Sequence, residues 1–138
     1  MNDCIFCQIL AGTIPSHKIY EDKDVIAFLD ISQTTIGHTL VIPKQHVRDL
    51  FDLEEKLAGH TFAVATQLAK KIVPLVGATG VNIVNNNHAV AGQAVFHFHV
   101  HIVPRFDAHT DGYHATWANN MATTSAETLA NLATQLRR

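Results

Sequence analysis

The sequence of 138 residues predicts an α+β fold, a five-stranded antiparallel sheet with two helices. Two observations carry that reading. Short runs rich in β-branched and aromatic residues stand between polar turns, and two longer segments repeat apolar residues at three- and four-residue steps. The length is that of one domain, and 47% apolar content suffices for one core, so residues 1–138 are expected to form a single domain.

The elements follow in order. His17 to Glu21, Val25 to Asp30 ("VIAFLD") and His38 to Ile42 ("HTLVI") read as a three-stranded meander. Asp52 then offers an N-cap with Glu55 three residues on. Leu53, Leu57, Thr61, Val64, Leu68 and Ile72 mark one face of a helix that is expected to stop at Pro74. Val81 to Asn86 and Val95 to Val103 read as two more strands, joined by the polar loop "NNHAVAGQ" with Gly92 in it. In the tail, residues 107–138, Ser125 caps a last helix in which Leu129, Leu132 and Leu136 share a face, and Arg137 and Arg138 suit its C-terminal dipole.

A net charge of −2 and a pI near 6.5 provide no basic field, so nucleic acid is not an expected partner. No run is long and apolar enough for a membrane span, and the start does not read as a signal peptide. A cytoplasmic protein without a membrane partner is expected. The two cysteines, Cys4 and Cys7, stand three apart. Alone, that pair leaves open a redox dithiol, a metal site or two buried thiols.

The stretch "HFHVHIV" asks for an explanation of its own. On a strand, His97, His99 and His101 line one face, about 7 Å apart in sequence, while Phe98, Val100 and Ile102 line the face packed on helices. Three ligands of a catalytic zinc is a strained reading, because three successive same-face positions do not converge on bonds near 2 Å. An iron site of the cupin type would want a glutamate soon after an H-x-H pair, where Pro104, Arg105 and Phe106 stand. A solvated polar face and a catalytic row are the other two readings, and three histidines together favour the catalytic one. An imidazole with one nitrogen held protonated is a nucleophile through the other, and its neighbours can hold phosphoryl charge and deliver a proton.

The stretch "AGQAVFHFHVHIVPR" fits the pattern His-φ-His-φ-His-φ-φ, φ being apolar, after Gly-Gln. With "DCIFCQILAGTIPSHKIYED" and "AFLDISQTTIGHTLVIPKQH" in order before it, the chain resembles the histidine triad (HIT) family, most of all its small bacterial Hint-like branch, over roughly four-fifths of its length. The resemblance implies a HIT-like fold that forms a homodimer. It implies cleavage at the α-phosphate of purine nucleotide conjugates (nucleoside phosphoramidates, acyl-AMP or dinucleoside polyphosphates) through a covalent nucleotidyl-histidine.

By the same resemblance His99 is the nucleophile, His101 contacts the phosphate oxygens and His38 stands beside the row. Asp30 would bind the ribose hydroxyls, and Phe6, Ile9, Phe28 and Ile31 would wall the base. Asn86, Gly92 and Gln93 would lie near phosphate and leaving group. On periodicity alone the four apolar residues are core, and Asp30 and Asn86 are turn formers. The resemblance also implies a structural zinc on Cys4, Cys7, His46 and His97, a site shared with the related galactose-1-phosphate uridylyltransferases. Two positions depart from the family pattern. Ala94 stands where many relatives have Ser or Thr, and His88 where glycine is common in the loop. Tyr113 and Trp117, in the tail from Asp107 to Met121, are candidates for closing over the site. The rival expectations are a non-catalytic AMP-type sensor using the same pocket and a redox dithiol protein.

Overall fold

The structure is a computed structural model, described here for residues 3–114 and 116–137. Arg138 lies outside the described residues. The five strands β1 (Lys18–Glu21), β2 (Val25–Leu29), β3 (Thr39–Pro43), β4 (Gly80–Val84) and β5 (Val100–Arg105) form one antiparallel sheet in the order β1-β2-β3-β5-β4. The chain runs the meander from one edge to the centre, crosses through the 22-residue helix α2 (Glu55–Val76), and returns as a hairpin on the other edge.

At the centre of the sheet both faces are covered, which explains why β3 is buried throughout and β2 in all but its last residue. Val25, Ala27, Val41, Val100 and Ile102 pack with Phe98 on Val64, Ala65, Leu68, Ala69 and Ile72 of α2. The alternate residues Ile26, Phe28, Leu40 and Ile42 pack on the opposite face against Phe6, with Cys4, Ile9, Leu10 and Val95 around them. Alternation along β2 and β3 therefore feeds two cores.

A third helix corrects the expected two. α1 (Ile5–Leu10) is only six residues long, too short to show a period, and its N-cap is the Cys4 sulfur, which accepts from the Cys7 N–H at 3.3 Å. The cap expected at Asp52 is likewise moved: α2 begins after Glu54, whose side chain makes no capping bond. The helix also runs two residues past Pro74. There the proline forfeits one hydrogen bond near the end, and the turn closes at left-handed Gly77 (φ 77°), whose N–H donates to Pro74 O. The final helix α3 (Ala126–Leu136) starts as expected, with the Ser125 hydroxyl accepting from Thr128 N–H, and buries none of its residues.

The second correction concerns the histidine strand. β5 begins at Val100, not Val95: its ladder with β3 ends at the pair Val41–Val100 and its ladder with β4 at Val84–His101. Residues 97–99 follow the loop after β3 instead: Phe98 N–H donates to Val47 O at 2.6 Å. The alternation of faces persists through this stretch without the ladder. Phe98 joins the α2 core, while His97 and His99 are buried on the α1 side. At its far end β5 extends through Pro104 to Arg105.

Candidate active site and metal cluster

Burial on the α1 side puts the three histidines among different partners, and each partner fixes one ring nitrogen. A backbone carbonyl only accepts, so a ring nitrogen bonded to one must carry the proton. His97 Nε2–H donates to Pro43 O at 2.8 Å, which leaves the Nδ1 lone pair toward Cys4 Sγ and Cys7 Sγ at 3.5 and 3.6 Å. His99 is the other way round: Nδ1–H donates to His97 O at 2.7 Å, and Nε2 is left open to the cavity that His99 lines. The Phe6 ring stands nearly perpendicular to that of His99, 5.2 Å away between centroids.

His101 belongs to a third arrangement. Thr34 N–H reaches His38 Nδ1 at 3.3 Å, so His38 carries its proton on Nε2 and donates it to His101 Nδ1 at 3.0 Å. His101 then presents Nε2–H. Asp30 Oδ2 stands 3.7 Å from His38 Nε2, while Oδ1 accepts from the backbone and hydroxyl of Ser32. Burial favours neutral rings here. It lowers His38 and His99 below the ordinary histidine value, and with the crowding of neighbouring imidazoles it brings His97 and His101 to about 4. Asp30 is also partly desolvated, which raises a carboxyl, but the Ser32 bonds and the nearby His38 and His101 outweigh that and hold it below the usual range.

These groups surround one cavity of about 370 Å³. Phe6, Ile9, Phe28, Ile31, Asp30, Asn86, Gly92, His99 and His101 all line it, as does Ala94. Its wall is largely apolar, as a base requires, with the carboxylate and imidazoles grouped together. Phe6 and Phe28 serve both as core and as wall, whereas Ile31 is 90% exposed at the rim. Gly92 sits at φ 95° over the Asn86 amide, where a Cβ would come within 3.6 Å of it.

Gln93 departs from expectation. Its buried amide is committed to the loop: Oε1 accepts from His88 N–H at 2.8 Å, and Nε2 donates to Arg48 O and Val95 O. It shapes the loop and does not line the cavity. Tyr113 is also placed elsewhere, under the Arg105 guanidinium, and Trp117 is 92% exposed.

Sequence reading missed the supports of the loop, which join residues about forty positions apart. His88 adopts φ 75° and ψ 154°, a conformation suited to glycine, with Nε2 3.2 Å from the buried Asp49 carboxylate and its ring on Phe51. Beside it runs an amide chain: Leu50 N–H donates to Asn87 Oδ1, Asn87 Nδ2 to Asn85 Oδ1, and Asn85 Nδ2 to His99 O at 2.8 Å. The only advance signal was His88 itself, a side chain where glycine is common.

Cys4, Cys7, His46 and His97 form a second cluster, their donor atoms all within 4.8 Å of one another. His46 Nδ1 lies 3.2 Å from Cys7 Sγ. A tetrahedral ion with bonds of about 2.0–2.3 Å spaces its donors roughly 3.3–3.8 Å apart, so these contacts of 3.2, 3.5 and 3.6 Å fit one. Burial and the adjacent Cys4 push the Cys7 thiol up to about 11, a cost that a bound cation reverses by taking the thiolate.

Comparisons with known proteins find similar sequences and similar folds. The family model described as HIT domain matches residues 11–108. A Bacillus subtilis protein named Protein hit is 45% identical over 134 residues, 97% of this chain and 92% of its own. The adenosine 5'-monophosphoramidase hnt1 of Schizosaccharomyces pombe is 40% identical over 102 residues, 74% of each chain. A crystal structure of a HIT family protein from Bacillus anthracis superposes with a TM-score of 0.93 at 46% identity, covering 99% of this chain and 96% of that one. A Zn-bound histidine triad family protein from Mycobacterium smegmatis gives 0.76 at 34% identity, covering 97% and 98%.

Proposed function

The chain belongs to the histidine triad (HIT) domain family, and from that premise we propose that it hydrolyses purine nucleotide conjugates at the α-phosphate, with His99 as the nucleophile. One observation carries the proposal: the His99 Nδ1–H bond to His97 O holds the ring in the tautomer whose Nε2 lone pair is open to the cavity. The fission-yeast relative, named as an adenosine 5'-monophosphoramidase, supports the same class of reaction.

In this reading the base lies among Phe6, Ile9, Phe28 and Ile31, and Asp30 accepts from the ribose hydroxyls. Asn86 and the backbone at Gly92 lie beside the phosphate. His99 Nε2 forms a bond to the α-phosphorus while the bond to the leaving group breaks. The His101 Nε2–H, supported through Nδ1 by His38, holds the phosphoryl oxygens and supplies the departing group with its proton. The positive charge that develops on the His99 ring is met by the His97 carbonyl at Nδ1. Water then attacks phosphorus and gives its proton to His101 Nε2, which restores the ring, while His99 departs neutral and the nucleoside monophosphate is released.

We assign zinc to Cys4, Cys7, His46 and His97, whose thiol and imidazole donors and spacing suit it. Four protein ligands leave no open position, so the ion would fix the α1 N-terminus and His97 and would take no part in the reaction. The chemistry is assigned to one domain carrying residues 107–138 as a tail. We also assign a homodimer, supported by Val81 and Ile83 exposed on edge strand β4 and by the unburied Leu129, Leu132 and Leu136 face of α3. Among the described residues no helix is long and apolar enough to cross a membrane.

The test is AMP release from an adenosine phosphoramidate and a diadenosine polyphosphate, by wild type and His99→Asn, before and after mild chelation. Wild type is expected to release AMP in both conditions, and the variant to lose about 10⁴-fold or more while still binding AMP. Binding of AMP with no turnover of either substrate would move the chain to the non-catalytic sensor.

A further inference from the structure

The far end of the histidine row holds a second group of metal donors. Asp30, His38 and His101 each offer one ligand atom, and the three atoms lie within 4.8 Å of one another. His38 Nε2 and His101 Nδ1 face each other at 3.0 Å, a few tenths of an ångström short of the roughly 3.3 Å that two nitrogens on one tetrahedral ion take, so the rings part slightly to admit one, and Asp30 Oδ2 stands 3.7 Å from His38 Nε2. None of the three belongs to the Cys2His2 set. Asp30 and His101 line the cavity, which gives an ion a way in.

We propose that Asp30, His38 and His101 form a second, cavity-facing site for a divalent transition metal such as zinc, which takes the place of the proton between the two imidazoles and arrests the site. Two imidazoles and a carboxylate are a common donor set for such an ion, and three protein ligands leave its fourth position to water or a phosphate oxygen. The protons balance by a tautomer change. His101 already presents a lone pair at Nδ1, while the His38 proton leaves Nε2 for Nδ1. That costs the 3.3 Å bond from Thr34 N–H, which has to turn away from the new Nδ1–H, and Thr34 is an exposed loop residue. Both rings are held below the ordinary histidine value by burial, so neither has to shed a charge-carrying proton first.

The site exists independently of the reaction proposed above; only its effect on turnover rests on that reading. An ion bound there removes the shared proton and ties up Asp30, so AMP release should fall roughly a hundredfold, the lower bound for losing a general acid.

Cobalt, a spectroscopic stand-in for zinc, separates the two sites. Titrated into metal-free protein, it should bind in two equivalents. The first carries a thiolate-to-metal charge-transfer band and disappears in Cys4→Ser/Cys7→Ser. The second lacks that band, is lost in His38→Gln and binds at least tenfold more weakly in Asp30→Asn. Retention of the thiolate band in His38→Gln shows that this variant is folded; should it fail to fold, Asp30→Asn carries the test. Saturation of wild type at one equivalent, or a second equivalent indifferent to both substitutions, overturns the proposal. A second equivalent in a protein that turns nothing over keeps the site and removes the reaction.

Discussion

His97 and His101 stand four residues apart on the same face, and burial brings both to about 4, yet the two ends of the row are built for opposite purposes. At the His97 end every partner closes inward. The ring is wholly buried, its Nε2–H is spent on Pro43 O, and its lone pair meets two sulfurs. At the His101 end the partners open outward, with Nδ1 held by His38 and the other nitrogen left for the cavity. His99 joins them, bonded to the His97 carbonyl on one side and 4.9 Å from the His101 ring on the other. The difference shows that spacing alone does not assign a histidine. What assigns it is which ring nitrogen the backbone or a neighbour has already taken.

The largest effect is expected at the closed end. Cys4→Ser with Cys7→Ser should lower unfolding stability by about 4 kcal/mol relative to zinc-loaded wild type, the amount contributed by an ion present at a thousand times its Kd. The same pair should leave kcat within about threefold wherever the protein is folded, because the ligating atoms do not touch the reacting atoms and the His97 carbonyl keeps its bond to His99. Urea unfolding and AMP release measured together check this. A large fall in kcat without loss of stability would erase the distinction between the two ends.

The mirror-image prediction comes next. His101→Gln should lower kcat roughly a hundredfold, or about 2.7 kcal/mol of barrier, while the first cobalt equivalent and its thiolate band remain. Glutamine keeps polarity at the position but cannot pass a proton. A variant with near-normal kcat would confine His101 to a structural role beside His38.

The pH dependence of stability sharpens the comparison further. A buried imidazole whose value falls from 6.5 to about 4 is neutral in both states above 6.5, where it contributes nothing. As pH drops below 6.5 the unfolded chain takes up protons first, so stability declines until the folded value near 4 is reached. Metal-free wild type should therefore show a falling urea midpoint across that window, and His101→Gln a shallower fall. Turnover should follow the same logic: with His99 held below its ordinary value, kcat/KM should stay level through 6.5 and drop only in more acid solution. Equal slopes for the two proteins would show that His101 does not titrate as its burial requires.

Much of this was legible in the sequence, and the exceptions share a cause. The strands showed through their alternation and α2 through its period, since each signal repeats several times within one element. The cavity residues Asp30, Phe28 and Asn86 were reachable only through the family pattern, because as isolated letters they are turn and core residues. α1 escaped because six residues give no period and its cap is a sulfur. The start of β5 escaped because it is set by pairing with distant strands, Val41 to Val100 and Val84 to His101, which no local run of sequence shows. Gln93 was placed at the phosphate by the family pattern, whereas its amide is held by Arg48 O, which is distant in sequence.

The smallest effect tests the loop that both ends share. His88 holds φ 75° and ψ 154°, a region that costs a side-chain-bearing residue about 1–3 kcal/mol, and its Nε2 lies 3.2 Å from Asp49 Oδ2. His88→Ala keeps the strained backbone and loses the carboxylate contact, whereas His88→Gly loses the contact and relieves the strain. Glycine also enlarges the freedom of the unfolded chain, which returns roughly 0.5–1 kcal/mol of that relief. The glycine variant should therefore be more stable than the alanine variant by about 1 kcal/mol, read from urea midpoints at matched m-values. Wild type should lie above alanine by whatever the Asp49 contact contributes. If alanine and glycine unfold together, the loop has relaxed out of the left-handed region. The alignment of Asn86 and Gly92 along the cavity then depends on the amide chain through Asn87 and Asn85, with no need for His88.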